Sequence, residues 1–203
     1  MMERRIGGIR KGSSSHIWYL TERGNKLLML DQKYVAKRTR YLEPAGSTLS
    51  HRMAVNECYV QAMEMEHNGK LRVKEASFEP DNWRSFSYEG KTDILKPDLF
   101  LATKHHGYEY RYFVEMDLSS EAISTIVDKC FRYHKYLSSG KEQQAHGVFP
   151  ITLWIVRDEK RKAKMEDAIR THFKTHPNIF VVITADEYES IMTASAIPAE
   201  KLC

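Results

Sequence analysis

The segment Lys96–Asp117, KPDLFLATKHHGYEYRYFVEMD, decides the fold of this chain. It contains two apolar runs, Leu99–Ala102 and Tyr110–Asp117, separated by a short polar turn, which is typical of two β-strands in an antiparallel hairpin. The outer ends of two such strands are neighbours. We therefore expect Asp98, at the start of the first strand, to lie beside Glu115 and Asp117, at the end of the second.

This arrangement predicts a divalent-cation site. Carboxylates brought close together repel one another unless a positive charge lies between them. The usual solution is a hard cation with oxygen ligands, Mg²⁺ or Mn²⁺. On a basic protein, such a site at Asp98, Glu115 and Asp117 points to phosphodiester chemistry.

The composition is that of an ordinary globular protein. The 203 residues are 42% hydrophobic and 29% charged, which suits one mixed domain with a full core and a small appendage. No apolar run reaches the roughly 18 residues that a membrane span needs. The first residues lack the apolar stretch of a secretory signal, and three scattered cysteines fit a reducing compartment. We therefore expect a cytoplasmic protein without a membrane partner.

The net charge of +4 is modest, but lysines and arginines crowd the first forty residues. This region is either a solvated, poorly ordered tail or a surface that meets phosphates. A basic Gly/Ser loop, a strand at 16–20 and a helix start at Thr21 are similar to the wing and closing helix of a truncated winged-helix domain over residues 1–40. The candidate DNA contacts are Arg10, Lys11, Arg23 and Lys26.

The remainder of the chain predicts an α/β domain over residues 47–203, with a mixed central sheet flanked by helices. Its apolar patterns and turn signals predict a helix at 47–67, a strand at 71–79, a loop at 80–90, the two strands above, a helix at about 121–137, a strand at 151–156, a helix at 159–176, a strand at 178–184 and a helical turn at 186–193.

That order resembles the core of the PD-(D/E)XK restriction-endonuclease-like superfamily. Five local patterns are similar to one branch of it, the replication-relaxation family of plasmid and mobile-element proteins: Leu20-Thr21-x-x-Gly24, His51–Glu57, Lys96-Pro97-Asp98, Phe113–Asp117 followed by Glu121, and Lys129-x-x-x-Tyr133-x-x-Tyr136. The resemblance implies metal-dependent nicking or cleavage of double-stranded plasmid DNA, with replication or transfer proteins as possible partners. The oligomeric state is left open.

The resemblance also implies roles for single residues. Asp98 would be the central metal ligand, Glu115 the second ligand and Glu57 an additional acid on the preceding helix. The superfamily has a lysine where this chain has Asp117. Lys129 is the candidate replacement, because Lys129 and Tyr133 resemble the Gln-x-x-x-Tyr helix motif of exonuclease-like members.

Alternative interpretations remain open for the whole chain and for its residues. The protein could be a catalytically inactive DNA-binding accessory on a nuclease-like fold, or a protein-interaction module. Asp98 could only cap a strand, and Lys129 with Tyr133 could be a surface pair. Glu115 is harder to explain in this way, because an unpaired carboxylate in an apolar strand is costly to bury. A tyrosine nucleophile, with Tyr133 as its candidate, is a further alternative.

Overall fold

The structure, a computed structural model, describes residues 2–5, 16–19, 23, 26, 27, 30, 46–119, 121–174, 178–196 and 202. The chain divides into two compact units, Met1–Gly46 and Ser47–Cys203. In the first unit, strand β1 (Met2–Arg5) pairs antiparallel with β2 (His16–Tyr19), which confirms the predicted strand at 16–20. Arg10, Lys11 and the predicted wing loop lie outside the described residues, whereas Arg23 and Lys26 are exposed.

The remaining elements follow in the predicted order, with three additions. Their bounds are α1 (Gly46–His67), β3 (Arg72–Phe78), β4 (Arg84–Tyr88), β5 (Lys91–Leu95), β6 (Leu99–His105), β7 (Tyr108–Asp117), α2 (Ile123–Ser138), α3 (Lys141–His146), β8 (Ile151–Val156), α4 (Glu159–His172), β9 (Phe180–Thr184), a 3₁₀ turn (Ala185–Glu187) and α5 (Tyr188–Met192).

Five of these strands form one mixed sheet in the order β3-β6-β7-β8-β9. The pairs β3–β6 and β6–β7 are antiparallel, and β7–β8 and β8–β9 are parallel. The parallel strands β8 and β9 are almost continuously apolar and buried, as expected where both faces of a sheet are covered. The predicted α/β fold with a mixed sheet flanked by helices is therefore confirmed.

The hairpin at the centre of this sheet has the predicted antiparallel pairing, with its outer ends side by side. Leu99 pairs with Val114, and the strands turn between His105 and Tyr108. The two turn residues, His106 and Gly107, have φ angles of 48° and 83°. Two positive φ angles give a type I′ turn, whose twist matches that of the flanking strands.

The sheet has a hydrophobic core on each face. One core includes Phe113 and Trp154 together with residues of α2 and α4. The other includes Tyr112 and Val114 together with residues of α1 and α5. Alternate residues of β7 therefore point to opposite faces, and Glu115, two residues after Phe113, lies on the face covered by α2 and α4.

The predicted loop at 80–90 is wrong. Strands β4 and β5 form a separate two-stranded hairpin, with Glu89 and Gly90 at positive φ in a second two-residue turn. Helix α3 was not predicted, and α4 ends at His172 rather than at residue 176. In the described part of the chain, no helix combines the length and apolar character needed to cross a membrane.

Candidate active site at the open end of the central hairpin

Asp98 lies at the open end of the β6–β7 hairpin, one residue before the Leu99–Val114 pair. Its Oδ2 accepts hydrogen bonds from the backbone N–H of Met116, at 2.8 Å, and from His51 Nε2, at 3.1 Å. The Asp98 side chain is only 11% exposed. The contact with Met116 bonds Asp98 to β7, and the contact with His51 bonds it to the first turns of α1.

Glu115 is the most buried acid of the site, with no exposed surface. Its Oε2 accepts a hydrogen bond from Lys129 Nζ at 2.6 Å, and its Oε1 accepts one from the Tyr133 hydroxyl. Lys129 and Tyr133 are one helical turn apart on α2, so both reach the same carboxylate. The Lys129 ammonium also lies 5.5 Å from the centre of the Trp154 ring, on the neighbouring strand β8.

The charges of these groups are coupled. Burial raises the pKa of Glu115, the Asp98 charge raises it further, and Lys129 opposes both. Burial acts against the charged form of Asp98, but its bond from His51 and the Lys129 charge hold the pKa of Asp98 below its usual value. The Glu115 and Asp98 charges outweigh burial at Lys129 and raise its pKa. The lysine is therefore the shared cation of two carboxylates.

Tyr133 donates its proton to Glu115 and is itself fully buried. Burial, followed by the Glu115 charge, raises the pKa of Tyr133 well above its usual value. A buried phenol that keeps its proton is poorly suited to attack phosphorus. Its contact suits a different task, which is to orient the Glu115 carboxylate.

Asp117 is engaged by a different cation. Its carboxylate accepts hydrogen bonds from Arg161 of α4, at 2.5 Å from Nε and 3.3 Å from the second nitrogen, and from the backbone N–H of Ser119 at 2.9 Å. Arg161 also donates to the backbone carbonyl of Glu121 at 2.7 Å. Asp117 therefore ties the end of β7 to the start of α4.

The structure brings together Asp98, Glu115, Lys129 and Tyr133. Glu57 is exposed on α1, and its Oε1 accepts a hydrogen bond from Gln61 at 3.2 Å. Among the described residues, no group of three or more His, Cys, Asp or Glu side chains is arranged to hold a metal ion. A third carboxylate ligand, whether Glu57 or Asp117, thus stays a prediction.

Two partners of the site are hard to find by sequence reasoning alone. The bond from His51 to Asp98 joins residues 47 positions apart. Arg161 is the third residue of a helix that begins after the N-cap Asp158. The N-cap Asp158 is a sequence signal that could have located Arg161, because a helix that follows a parallel strand begins near the carboxyl end of that strand.

His51 provides a direct test of the Asp98 contact. The hydrogen bond to Asp98 raises the pKa of His51, so the protonated ring is favoured in the folded state. Its contribution to stability is present below the unfolded pKa, about 6.5, and is lost as the pH rises through the folded pKa. An NMR titration should show His51 titrating above 6.5, and Asp98→Asn should lower that midpoint. Unchanged titration in the variant would contradict the contact.

One comparison with known proteins gives a match, and that match covers the part of the chain that contains the candidate site. A family model described as replication-relaxation matches residues 1–152, which includes all four clustered residues. No curated protein and no solved structure gives a significant match. Because the family match covers well over half of the 203 residues, this chain belongs to the replication-relaxation family.

Proposed function

We propose that this protein nicks or cleaves DNA during the replication of a plasmid or mobile element, with Asp98, Glu115 and Lys129 as its working groups. Membership of the replication-relaxation family indicates a role in plasmid or mobile-element replication. Double-stranded plasmid DNA is the proposed substrate, and the basic first unit, with Arg23 and Lys26 exposed, is the proposed DNA contact.

One observation carries the catalytic part of the proposal. Two carboxylates from adjacent strands and one lysine from the following helix meet at a single sheet edge, where Lys129 Nζ lies 2.6 Å from Glu115. In a protein interior, such charges are rarely gathered without a functional or a strong pairing reason. Phosphodiester cleavage needs both charges, negative groups to hold a cation and a positive group to face the phosphate.

The donor chemistry of Asp98 and Glu115 suits Mg²⁺ or Mn²⁺, since carboxylate oxygens are their preferred ligands. Both hydrogen bonds to Asp98 among the described residues fall on Oδ2, so a cation could be bound by Oδ1 without displacing a protein donor. Both oxygens of Glu115 are engaged, so the same cation would share Oε2 with Lys129. When bound, the metal would supply Lewis-acid activation of the phosphate and of water.

The residues of the chain have separate tasks in this proposal. Asp98 and Glu115 hold carboxyl oxygens at fixed positions, because His51 and Met116 restrain the first and Tyr133 the second. Lys129, 26% exposed, keeps its proton and is the positive group available to a phosphate oxygen. Lys129 would do the work of the superfamily's motif lysine, whose position in this sequence is occupied by Asp117.

A second candidate function is a DNA-binding accessory protein without catalysis. It is favoured by the full engagement of Glu115 and by the Asp117–Arg161 ion pair, which tie up two of the three predicted acids. In that case Lys129 is a permanent internal counter-ion, and the cluster stabilises the fold.

Supercoiled plasmid incubated with the full chain separates these functions. With Mg²⁺ or Mn²⁺ we expect open-circle or linear product, and none with EDTA. Calorimetric titration with Mn²⁺ should show binding that Asp98→Asn removes. Salt-sensitive DNA binding without product or Mn²⁺ binding would establish the accessory role and contradict the nuclease. The absence of any DNA binding would contradict both and favour a protein-interaction module.

A further inference from the structure

The β4–β5 hairpin carries an exposed aromatic side chain beside the candidate site. Trp83, immediately before β4, is 40% exposed, and Lys96 Nζ lies 4.1 Å from the centre of its ring. The indole N–H of Trp83 donates to Glu79 at 3.2 Å, which orients the ring. Arg84 pairs with Leu95 at the end of the hairpin, and Trp83 and Lys96 are the next residues outward on the two strands. Trp83 and Lys96 therefore face each other.

Within the part of the chain that the structure describes, one face of this hairpin is exposed. Phe86 and Leu95 point into the core, whereas the residues alternating with them are exposed. Ser85 pairs with Ile94, and Ser87 pairs with Thr92 on this outer face. The outer face therefore consists of Trp83, Ser85, Ser87, Thr92, Ile94 and Lys96, a set that contains no acidic side chain.

The outer face is held close to the candidate site. The Asn82 amide, fully buried, donates to the backbone carbonyl of Pro97 at 2.7 Å, which fixes Trp83 beside the segment that leads to Asp98. Lys96 is two residues from Asp98, a separation of at most about 7 Å along the chain. Whatever binds Trp83 and Lys96 thus contacts the chain within two residues of Asp98.

We propose that the outer face of the β4–β5 hairpin binds an unpaired DNA strand, with Trp83 stacking on one base and Lys96 contacting a phosphate. Surfaces that bind single strands combine exposed aromatic rings with cations, and every base offers a face for stacking. Serine and threonine hydroxyls donate to phosphate oxygens without reading sequence. The ring, the cation and three hydroxyls lie on one face, and the one acid bonded to the ring, Glu79, contacts the edge that carries the indole N–H.

This inference rests on the proposed function and makes it more specific, because it states which form of DNA reaches the acids. A melted or frayed strand would lie across the hairpin and place the next phosphodiester near Asp98 and Lys129. Duplex DNA, whose bases are stacked on one another, has no base to give to Trp83.

Binding measurements on the full chain in EDTA test the inference without catalysis. Fluorescence anisotropy with a labelled single strand and with the matching blunt duplex would compare Trp83→Ala, Trp83→Phe and the control Tyr108→Ala. Tyr108 is an equally simple exposed aromatic, 69% exposed, at the opposite end of β7. It lies about 24 Å from Glu115 along the strand, at about 3.4 Å per residue.

We expect Trp83→Ala to weaken single-strand binding roughly 5- to 150-fold, the range for loss of one base–aromatic stack. Trp83→Phe should keep most of the affinity, and Tyr108→Ala all of it, while duplex binding changes little in each. Equal single-strand affinity in wild type and Trp83→Ala would overturn the inference, as would an equal loss in Tyr108→Ala. If duplex DNA is then still bound, and is nicked when Mg²⁺ is added, the proposed function survives. If neither form of DNA binds, the proposed function has failed.

Discussion

Lys129→Met is expected to lower the free energy of unfolding by about 3–5 kcal/mol, the usual cost of breaking a buried ion pair from one side. Methionine has nearly the shape of lysine, so the loss comes from the charge. Glu115 has no exposed surface and, among the described residues, would keep only the Tyr133 hydroxyl as a hydrogen-bond partner. Denaturation in urea at pH 9, above the Glu115 pKa of about 8, would measure the change.

The deficit of Lys129→Met should also grow with pH. Without the lysine, burial holds the pKa of Glu115 still further above its unfolded value, about 4.3. A group with a raised folded pKa contributes its stability below the unfolded pKa and loses it as the pH rises through the folded pKa. In the folded wild type the pKa of Glu115 is itself raised to about 8, so the two proteins lose this stability in parallel below that pH. The variant should fall further behind wild type as the pH rises above 8.

Two further variants make this prediction specific. Lys135→Met changes an exposed lysine of the same helix and should shift stability by no more than about 0.5 kcal/mol. Adding Glu115→Gln to Lys129→Met removes the stranded carboxylate and should recover a large part of the loss. A small, pH-independent effect of Lys129→Met would mean that the pair does not form in solution.

Asp98→Asn is expected to reduce plasmid nicking roughly 10²- to 10³-fold, the range for removing one group that stabilises developing charge. Asparagine keeps an oxygen that can accept the Met116 N–H bond, so the hairpin end should stay folded. Asparagine lacks the negative charge with which Asp98 would bind the cation. Initial rates of open-circle formation in Mg²⁺ and in Mn²⁺ would measure the effect.

The matched control is Asp167→Asn, an exposed acid on α4. It makes the same chemical change away from the sheet edge, and its nicking rate should equal that of wild type. Comparable rates in Asp98→Asn and wild type would contradict the nuclease proposal. A loss of nicking with unchanged DNA binding and thermal stability would assign Asp98 to the chemistry.

The central hairpin was predictable because its signal is local. The apolar runs of Leu99–Ala102 and Tyr110–Asp117 flank a polar turn, and antiparallel pairing then fixes Asp98 beside the end of β7. The β4–β5 hairpin was missed for a local reason as well. Its strands mix serines and charged residues with few apolar ones, so they show no clear strand pattern. The Glu89-Gly90 turn is the strongest local indication of a hairpin there.

The partners of the acids were less accessible from sequence. Lys129 and Tyr133 could be proposed because they resemble the Gln-x-x-x-Tyr helix motif, whose spacing places both side chains on one face. The bonds from His51 to Asp98 and from Arg161 to Asp117 join residues 47 and 44 positions apart. Such contacts depend on how helices lie on the sheet, which no local pattern encodes.

The amino-acid sequence by itself determined the α/β class, the antiparallel pairing of β6 and β7, the family resemblance and the position of Asp98 beside the end of β7. These follow from apolar periodicity and turn chemistry, which act between near neighbours. Only the tertiary structure decided which cation each acid receives, Lys129 for Glu115 and Arg161 for Asp117. Burial makes an unpaired charge costly, so the packing of α2 and α4 on one face of the sheet selects these pairs.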